Sequence, residues 1–250
     1  MIARFIPTPT VSQLTVGPLT IHAYALCIIL GALIAVWLTN KRFVASGGGV
    51  ETVSDLAILV IPAGVIGARL YHVLTSPEFF FGANGNFLDI FKIWQGGLGI
   101  WGAIAGGALV ALWRYKDPLP FTYLMDAIAP SLLIAQGIGR FGNWFNGELY
   151  GRPTDLPWAL QLSDGATYHP TFLYEALCNF ALAFLLIKLS GKFRVGSLFY
   201  LYIAGYCTYR FFIEGIRIDE AHTFAGLRLN QWVSLALGST ALAKFIKVRR

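Results

Sequence analysis

Arg210, Glu214 and Arg217 are spaced four and three residues apart, so a helix carries all three on one face. They sit at the end of an apolar run, and an arginine at membrane depth costs about 2.5–3.5 kcal/mol unless it meets a partner or water. Glu214 offsets one of the two arginines and leaves the second for an anion. A second concentration of chemistry is GRFGNWFNGELYGRP at Gly139–Pro153, which sets Arg140, Asn143, Asn146, Glu148 and Arg152 among four glycines and four aromatics. Guanidinium forks, carboxamides and backbone N–H groups exposed by glycine are the donors that hold a phosphate. This stretch is expected as a polar outer loop between the fourth and fifth helices.

Three further sets reach the same level of the chain. His22 and Tyr24 open the first apolar segment; Arg69, Tyr71 and His72 close the second; His169 and Pro170 open the fifth, with Tyr174 and Glu175 one turn in. A histidine at such a site can accept a proton near neutral pH. Other chemistries find no support. The sequence has no HExxH, no P-loop and no GxSxG. Asp126 and Glu175 stand apart from other carboxylates, which argues against an acid dyad or a two-metal site. Cys27, Cys178 and Cys207 form no paired spacing, so neither a disulfide framework nor a zinc site is indicated and all three read as apolar filler.

The elements that must position these residues are membrane helices. Hydrophobic residues make up 56% of the 250 and charged residues only 13%, about half the ~25% usual in soluble domains. That composition excludes disordered, collagenous, coiled-coil and disulfide-scaffold classes. Seven segments approach the ~20 apolar residues a crossing needs: Leu19–Thr39, Leu56–Thr75, Trp94–Trp113, Phe121–Gly139, Pro170–Leu189, Gly196–Ile216 and Leu229–Ile246. The first lacks a basic leader and runs too long for a cleavable signal. In the third, Gly102 and Gly106 form a close-packing pair. Phe79–Phe81, in the loop over residues 76–93, is an aromatic anchor at the interface.

Eleven of the nineteen basic residues fall in alternate connections: Lys41, Arg42, Arg114, Lys116, Lys188, Lys192, Arg194, Lys244, Lys247, Arg249 and Arg250. The positive-inside rule makes that side cytoplasmic, so most of the +6 net charge is a topology signal. The expectation is an all-α integral membrane protein of one domain, residues 1–250, with seven transmembrane helices, the N-terminus outside and the C-terminus cytoplasmic. The other eight basic residues are Arg4, Arg69, Lys92, Arg140, Arg152, Arg210, Arg217 and Arg228, seven of them arginine. That bias points to anion binding on the outer half.

GRFGNWFNGELYG at Gly139–Gly151 resembles the signature of the prolipoprotein diacylglyceryl transferase family. His22-Ala-Tyr24-Ala resembles the family's HWYG, Gly67-Ala-Arg69 its GGR, His169-Pro170 with Leu173-Tyr174-Glu175 its HP…LYE, and Arg210–Arg217 its RxxxExxR. Trp144 replaces the usual Phe. Trp101 stands where members often carry a histidine, and tryptophan accepts no proton, so a base assigned there has no counterpart. The resemblance covers essentially the whole chain. It implies transfer of the diacylglyceryl group of phosphatidylglycerol to the lipobox cysteine thiol of prolipoproteins in the bacterial plasma (inner) membrane. A thioether forms and glycerol-1-phosphate leaves on the extracytoplasmic side, with no metal or cofactor.

By that resemblance Arg140 and Arg210 clamp the phosphate. Asn143, Asn146 and Gly151 shape the loop and bind the headgroup, with Arg69 also on the substrate. Glu148 and Glu214 orient the arginines, Arg217 pairs with Glu214, Tyr24 donates a hydrogen bond, and His22 or His169 is the base. Magnitudes rank these roles. A free thiol is ~3% thiolate at pH 7, so a base gains at most ~2 kcal/mol in nucleophile. Each donor aligned on a departing oxyanion contributes ~3–4 kcal/mol, so the arginines dominate. The rival class is a membrane transporter or binding protein for a lipid or small anion. A repeated half would favour it, and no repeat is visible.

Overall fold

A computed structural model describes residues 5–17, 19–81 and 85–249; Arg4 and residues 82–84 of the expected outer loop lie outside them. Among the described residues seven helices form: α1 Ala23–Ala45, α2 Thr52–Thr75, α3 Ile100–Arg114, α4 Phe121–Asn146, α5 Thr171–Lys188, α6 Ser197–Ile216 and α7 Leu229–Val248. Four of them, α1, α2, α4 and α5, are long and apolar enough to cross a bilayer. The chain divides into two compact units, Met1–Arg42 with Thr122–Arg250, and Phe43–Phe121.

In the smaller unit α2 packs on α3 through glycine. A β-carbon at Gly106 would lie 2.5 Å from the Ala63 carbonyl oxygen, and Gly67 and Gly102 leave each other equally little room. This is the close packing expected of Gly102 and Gly106, with α2 as partner. The third helix is shorter than expected. It starts at Ile100 rather than Trp94, after a single 3-10 turn, Ile93–Gln95. Gly96 and Gly97 take φ of 89° and 70°, which ends any helix there. Of the aromatic run, Phe79 and Phe81 are exposed and Phe80 is buried. At the other end of this unit, Asp117 accepts from the Leu119 N–H at 3.0 Å, the Thr52 hydroxyl at 2.7 Å and the Gly49 N–H at 2.8 Å. These donors, the Leu119 N–H foremost, hold its carboxyl below the usual carboxylate range.

In the larger unit Ala129 and Leu133 of α4, Ala183 and Leu186 of α5 and Leu198 of α6 form one buried cluster. Asp126 of α4 accepts the Gly196 and Phe199 N–H groups at 2.7 and 3.0 Å and so caps α6. Short strands decorate this helical core. β1 (Ile6–Pro7) runs parallel to β4 (Leu160–Gln161), which pairs with β5 (Thr167–Tyr168). The hairpin β2 (Gln13–Val16) with β3 (Leu19–His22) feeds α1, and β6 (Thr223–Phe224) with β7 (Leu227–Arg228) feeds α7.

One expectation is corrected here. The stretch expected to leave the membrane as a loop after Gly139 continues as helix to Asn146. Gly142 serves contact rather than turning, since a β-carbon there would lie 2.5 Å from the Tyr24 ring. The turn comes at Gly147, with φ of 60°. Arg140, Asn143 and Asn146 therefore project from successive helical positions three apart, on one face.

Candidate active site

Glu175 stands in the second turn of α5, buried, with 2% of its side chain exposed. Its two oxygens serve different helices. Oε2 lies 2.7 Å from Nε of Arg140 on α4, and Oε1 lies 2.5 Å from Nη1 of Arg210 on α6. Nη2 of Arg210 reaches Oε2 of Glu214 at 2.5 Å, across one helical turn. Oε1 of the fully buried Glu214 accepts from Nε of Arg228 at 2.9 Å and from the Asn230 carboxamide at 3.2 Å. Asp219 closes the series, accepting from Arg217 Nε at 2.7 Å and Arg228 Nη2 at 2.9 Å. Burial works against ionisation of Asp219, but the Arg217 and Arg228 guanidiniums outweigh it and hold the carboxyl below its ordinary value.

Four guanidiniums thus meet three carboxylates in one continuous ion-pair series. Burial makes every broken pair expensive, and the surplus of one positive charge makes the series a receptor for an anion. Arg140 is the most exposed of the four guanidiniums and has donors to spare. Its Nη1 donates to Asn143 Oδ1 at 3.3 Å. Its Nη2 has no protein partner among the described residues, and 22% of its side chain is exposed. Arg210 is deeper, 12% exposed, with both terminal nitrogens on carboxylates.

The flanking residues come from three segments. Asn143 Nδ2 donates to Glu148 Oε1 at 2.9 Å and Asn146 Nδ2 to the same oxygen at 3.2 Å. Glu148 therefore orients two carboxamides, where the sequence led us to expect an arginine; its position just past the helix end keeps it beside them. Arg217 pairs with Glu214 as expected, but loosely, 3.9 Å from the Oε2 that Arg210 holds, and Asp219 is its closer partner at 2.7 Å. Gly151 donates its N–H to the His169 carbonyl at 2.9 Å and bridges Arg217. A β-carbon there would lie 2.8 Å from both His169 and Ile216, so this crossing of three segments admits only glycine.

His169 Nδ1 lies 3.1 Å from the Tyr174 hydroxyl, which orients its ring. His22 ends the β2–β3 hairpin, opposite Gln13, and is exposed. Tyr24 lays its ring on Gly142, beside Asn143. The structure thus gathers Arg140, Asn143, Asn146, Glu148, Gly151, Glu175, Arg210, Glu214 and Arg217 in one unit. Arg69 belongs to the other, where it donates from Nε to Ile90 O at 2.8 Å, from Nη1 to Gly96 O at 2.8 Å and Gly97 O at 3.1 Å, and from Nη2 to Asp89 O. Its guanidinium also lies over the Phe80 ring.

Sequence reasoning missed Asp219, and named Glu175 and Arg228 without seeing what they join. Glu175 looked isolated because its partners are 35 residues away in either direction. Asp219 and Arg228 follow α6, and only the arginine bias hinted at the second. A helix-end acid two residues after Arg217 was an available signal for the first.

Comparison with known proteins places this arrangement. The family model for prolipoprotein diacylglyceryl transferase matches residues 10–247. A phosphatidylglycerol–prolipoprotein diacylglyceryl transferase of Streptomyces griseus is 51% identical over 93% of this chain and 74% of its own length. Proteins of the same name from Bifidobacterium adolescentis and Corynebacterium glutamicum are each 46% identical, over 100% and 98% of this chain and 82% and 84% of their own. With several apolar crossing helices, a multi-pass membrane chain carries the site, and the chain belongs to the prolipoprotein diacylglyceryl transferase family.

Proposed function

We propose that the ion-pair series grips the phosphate of phosphatidylglycerol and that the protein transfers the lipid's diacylglyceryl group to the lipobox cysteine of a prolipoprotein. The observation that carries this is the placement of Arg140 and Arg210 on the two oxygens of one buried carboxylate, with Arg140 22% exposed and keeping unspent N–H groups. The cysteine sulfur attacks the glyceryl carbon bonded to the phosphate oxygen. The C–S bond forms as the C–O bond breaks, and the electron pair leaves on glycerol-1-phosphate. Charge therefore grows on the phosphate, where the guanidiniums stabilise it more in the transition state than before it.

Arg210 supplies field from depth while Arg140 makes direct contact. Asn143 and Asn146, held by Glu148, present carboxamides to the glycerol headgroup, Gly151 keeps the backbone close, and Tyr24 donates a hydrogen bond. His169, turned by Tyr174, takes the thiol proton, and exposed His22 is the alternative acceptor. Arg69 acts on the substrate side through the loop it holds. The seven helices and the eleven basic residues in alternate connections support seven crossings in the plasma membrane, with the N-terminus and the arginine series outside.

The test is a reconstituted assay with phosphatidylglycerol vesicles and a lipobox peptide. Thioether-linked peptide and free glycerol phosphate are expected in equal amounts. Movement of lipid or anion across the vesicle with no new bond would overturn the reading in favour of a transporter.

A further inference from the structure

Arg228 and Asp219 lie one step removed from the donors that face the lipid, yet they fix the charge those donors present. Arg228 spends its whole guanidinium inside the series: Nε on Glu214 Oε1, Nη2 on Asp219 Oδ2, and Nη1 on the Arg217 carbonyl at 2.9 Å. Its backbone is fixed as well, with its N–H donating to Gln231 Oε1 at 3.0 Å at the start of α7. Glu214 is fully buried and must be neutralised. With Arg228 and Asn230 on Oε1, Arg210 need not do this alone, and part of its field remains for a ligand.

Asp219 acts in the opposite sense. It takes charge from Arg217 and Arg228 and is the one carboxylate of the three that is substantially exposed, at 32% of its side chain.

We propose that Arg228 and Asp219 are an opposed pair of affinity-setting residues: Arg228 supplies the surplus positive charge that attracts the anionic headgroup, and Asp219 limits it. Neither touches the reacting atoms. The pair sets how tightly the phosphate is held, and so how readily the phosphate product departs. This rests on the reading that the series binds the phosphate of phosphatidylglycerol.

The experiment measures kcat and the apparent KM for phosphatidylglycerol in Arg228→Gln, Arg228→Lys, Asp219→Asn and the double variant Arg228→Gln/Asp219→Asn, with melting midpoints alongside. Removing one cation at this range raises KM roughly tenfold, with a smaller change in kcat. Arg228→Lys keeps the charge but not the three-way fork, so its KM lies between those of the parent and Arg228→Gln. Asp219→Asn lowers KM, and the double variant returns toward the parent value. A purely structural role predicts otherwise: Gln and Lys equally harmful, Asp219→Asn shifting KM upward, and the double variant worst of all. That pattern, or an unchanged KM in Asp219→Asn, overturns the proposal. If Arg228→Gln does not fold, the direction of KM in Asp219→Asn decides alone. Failure of the parent protein to turn over phosphatidylglycerol refutes the functional reading instead, and the two failures are thereby told apart.

Discussion

Two buried or half-buried arginines, one in each compact unit, spend their donors in opposite ways. Arg69 gives four N–H bonds to main-chain carbonyls of one loop and lies over a phenylalanine ring. Arg140 sits on a carboxylate and one carboxamide and keeps a terminal nitrogen free of protein partners among the described residues. The first has one N–H of five left over and shapes its loop with the other four. The second is neutralised enough to survive burial and still unsaturated. What separates a structural arginine from a binding one is the balance of donors left over, which residue type alone does not reveal.

The sharpest way to break this comparison is Arg140→Ala. Loss of an oxyanion donor should cut transfer by on the order of 10²–10³, measured as thioether product per folded molecule, and because Glu175 keeps Arg210 the melting midpoint should fall less than in Arg69→Ala. Arg140→Lys should restore little, because a point charge cannot replace the fork. Arg69→Ala should show the reverse emphasis: four carbonyls lose a charged donor, which costs about 3–5 kcal/mol of stability, read as a falling melting midpoint. If Arg69→Ala melts normally while Arg140→Ala unfolds, the contrast fails.

His169→Ala tests whether the clamp or the base carries the chemistry. The rate at pH 7 should fall by no more than about thirtyfold, and the deficit should shrink as pH approaches 8.5, where the thiol ionises unaided. Gly142→Ala is a smaller probe. The Tyr24 ring must give way, which costs about 1–3 kcal/mol and lowers transfer by roughly tenfold. The smallest effect is acid sensitivity. Because the carboxyl of Asp219 is held below its ordinary value, its stabilising contribution is complete above about pH 4 and is lost as pH falls through the lower folded value. The parent should therefore lose more melting midpoint than Asp219→Asn between pH 5 and pH 3.

Periodicity made the helices legible. The segments around α5, α6 and α7 are found within about two residues of their expected ends, because apolar length and flanking charge decide such elements locally. The glycines were harder to place. Gly142 and Gly147 look alike in sequence, but one packs against a tyrosine ring and the other turns the chain, and only the three-dimensional neighbour distinguishes them. Arg140 and Arg210 were visible as anomalies in apolar surroundings. Glu175 was legible as a neighbour of Tyr174 near the site but not as the group that joins them, since nothing local to α5 indicates that two guanidiniums from other helices converge on it.

The buried series has an order along the chain: Arg140, Glu175, Arg210, Glu214, Arg217, Asp219, Arg228, with sign alternating at every step. During synthesis every charge of the series after Arg140 therefore follows one of opposite sign, so no stage of assembly must bury two of its like charges side by side without a counterion between them. Reversing any adjacent pair would preserve the finished tally yet expose the nascent protein to an uncompensated intermediate. The linear sequence thus encodes a safe itinerary for assembling the site as well as its final form.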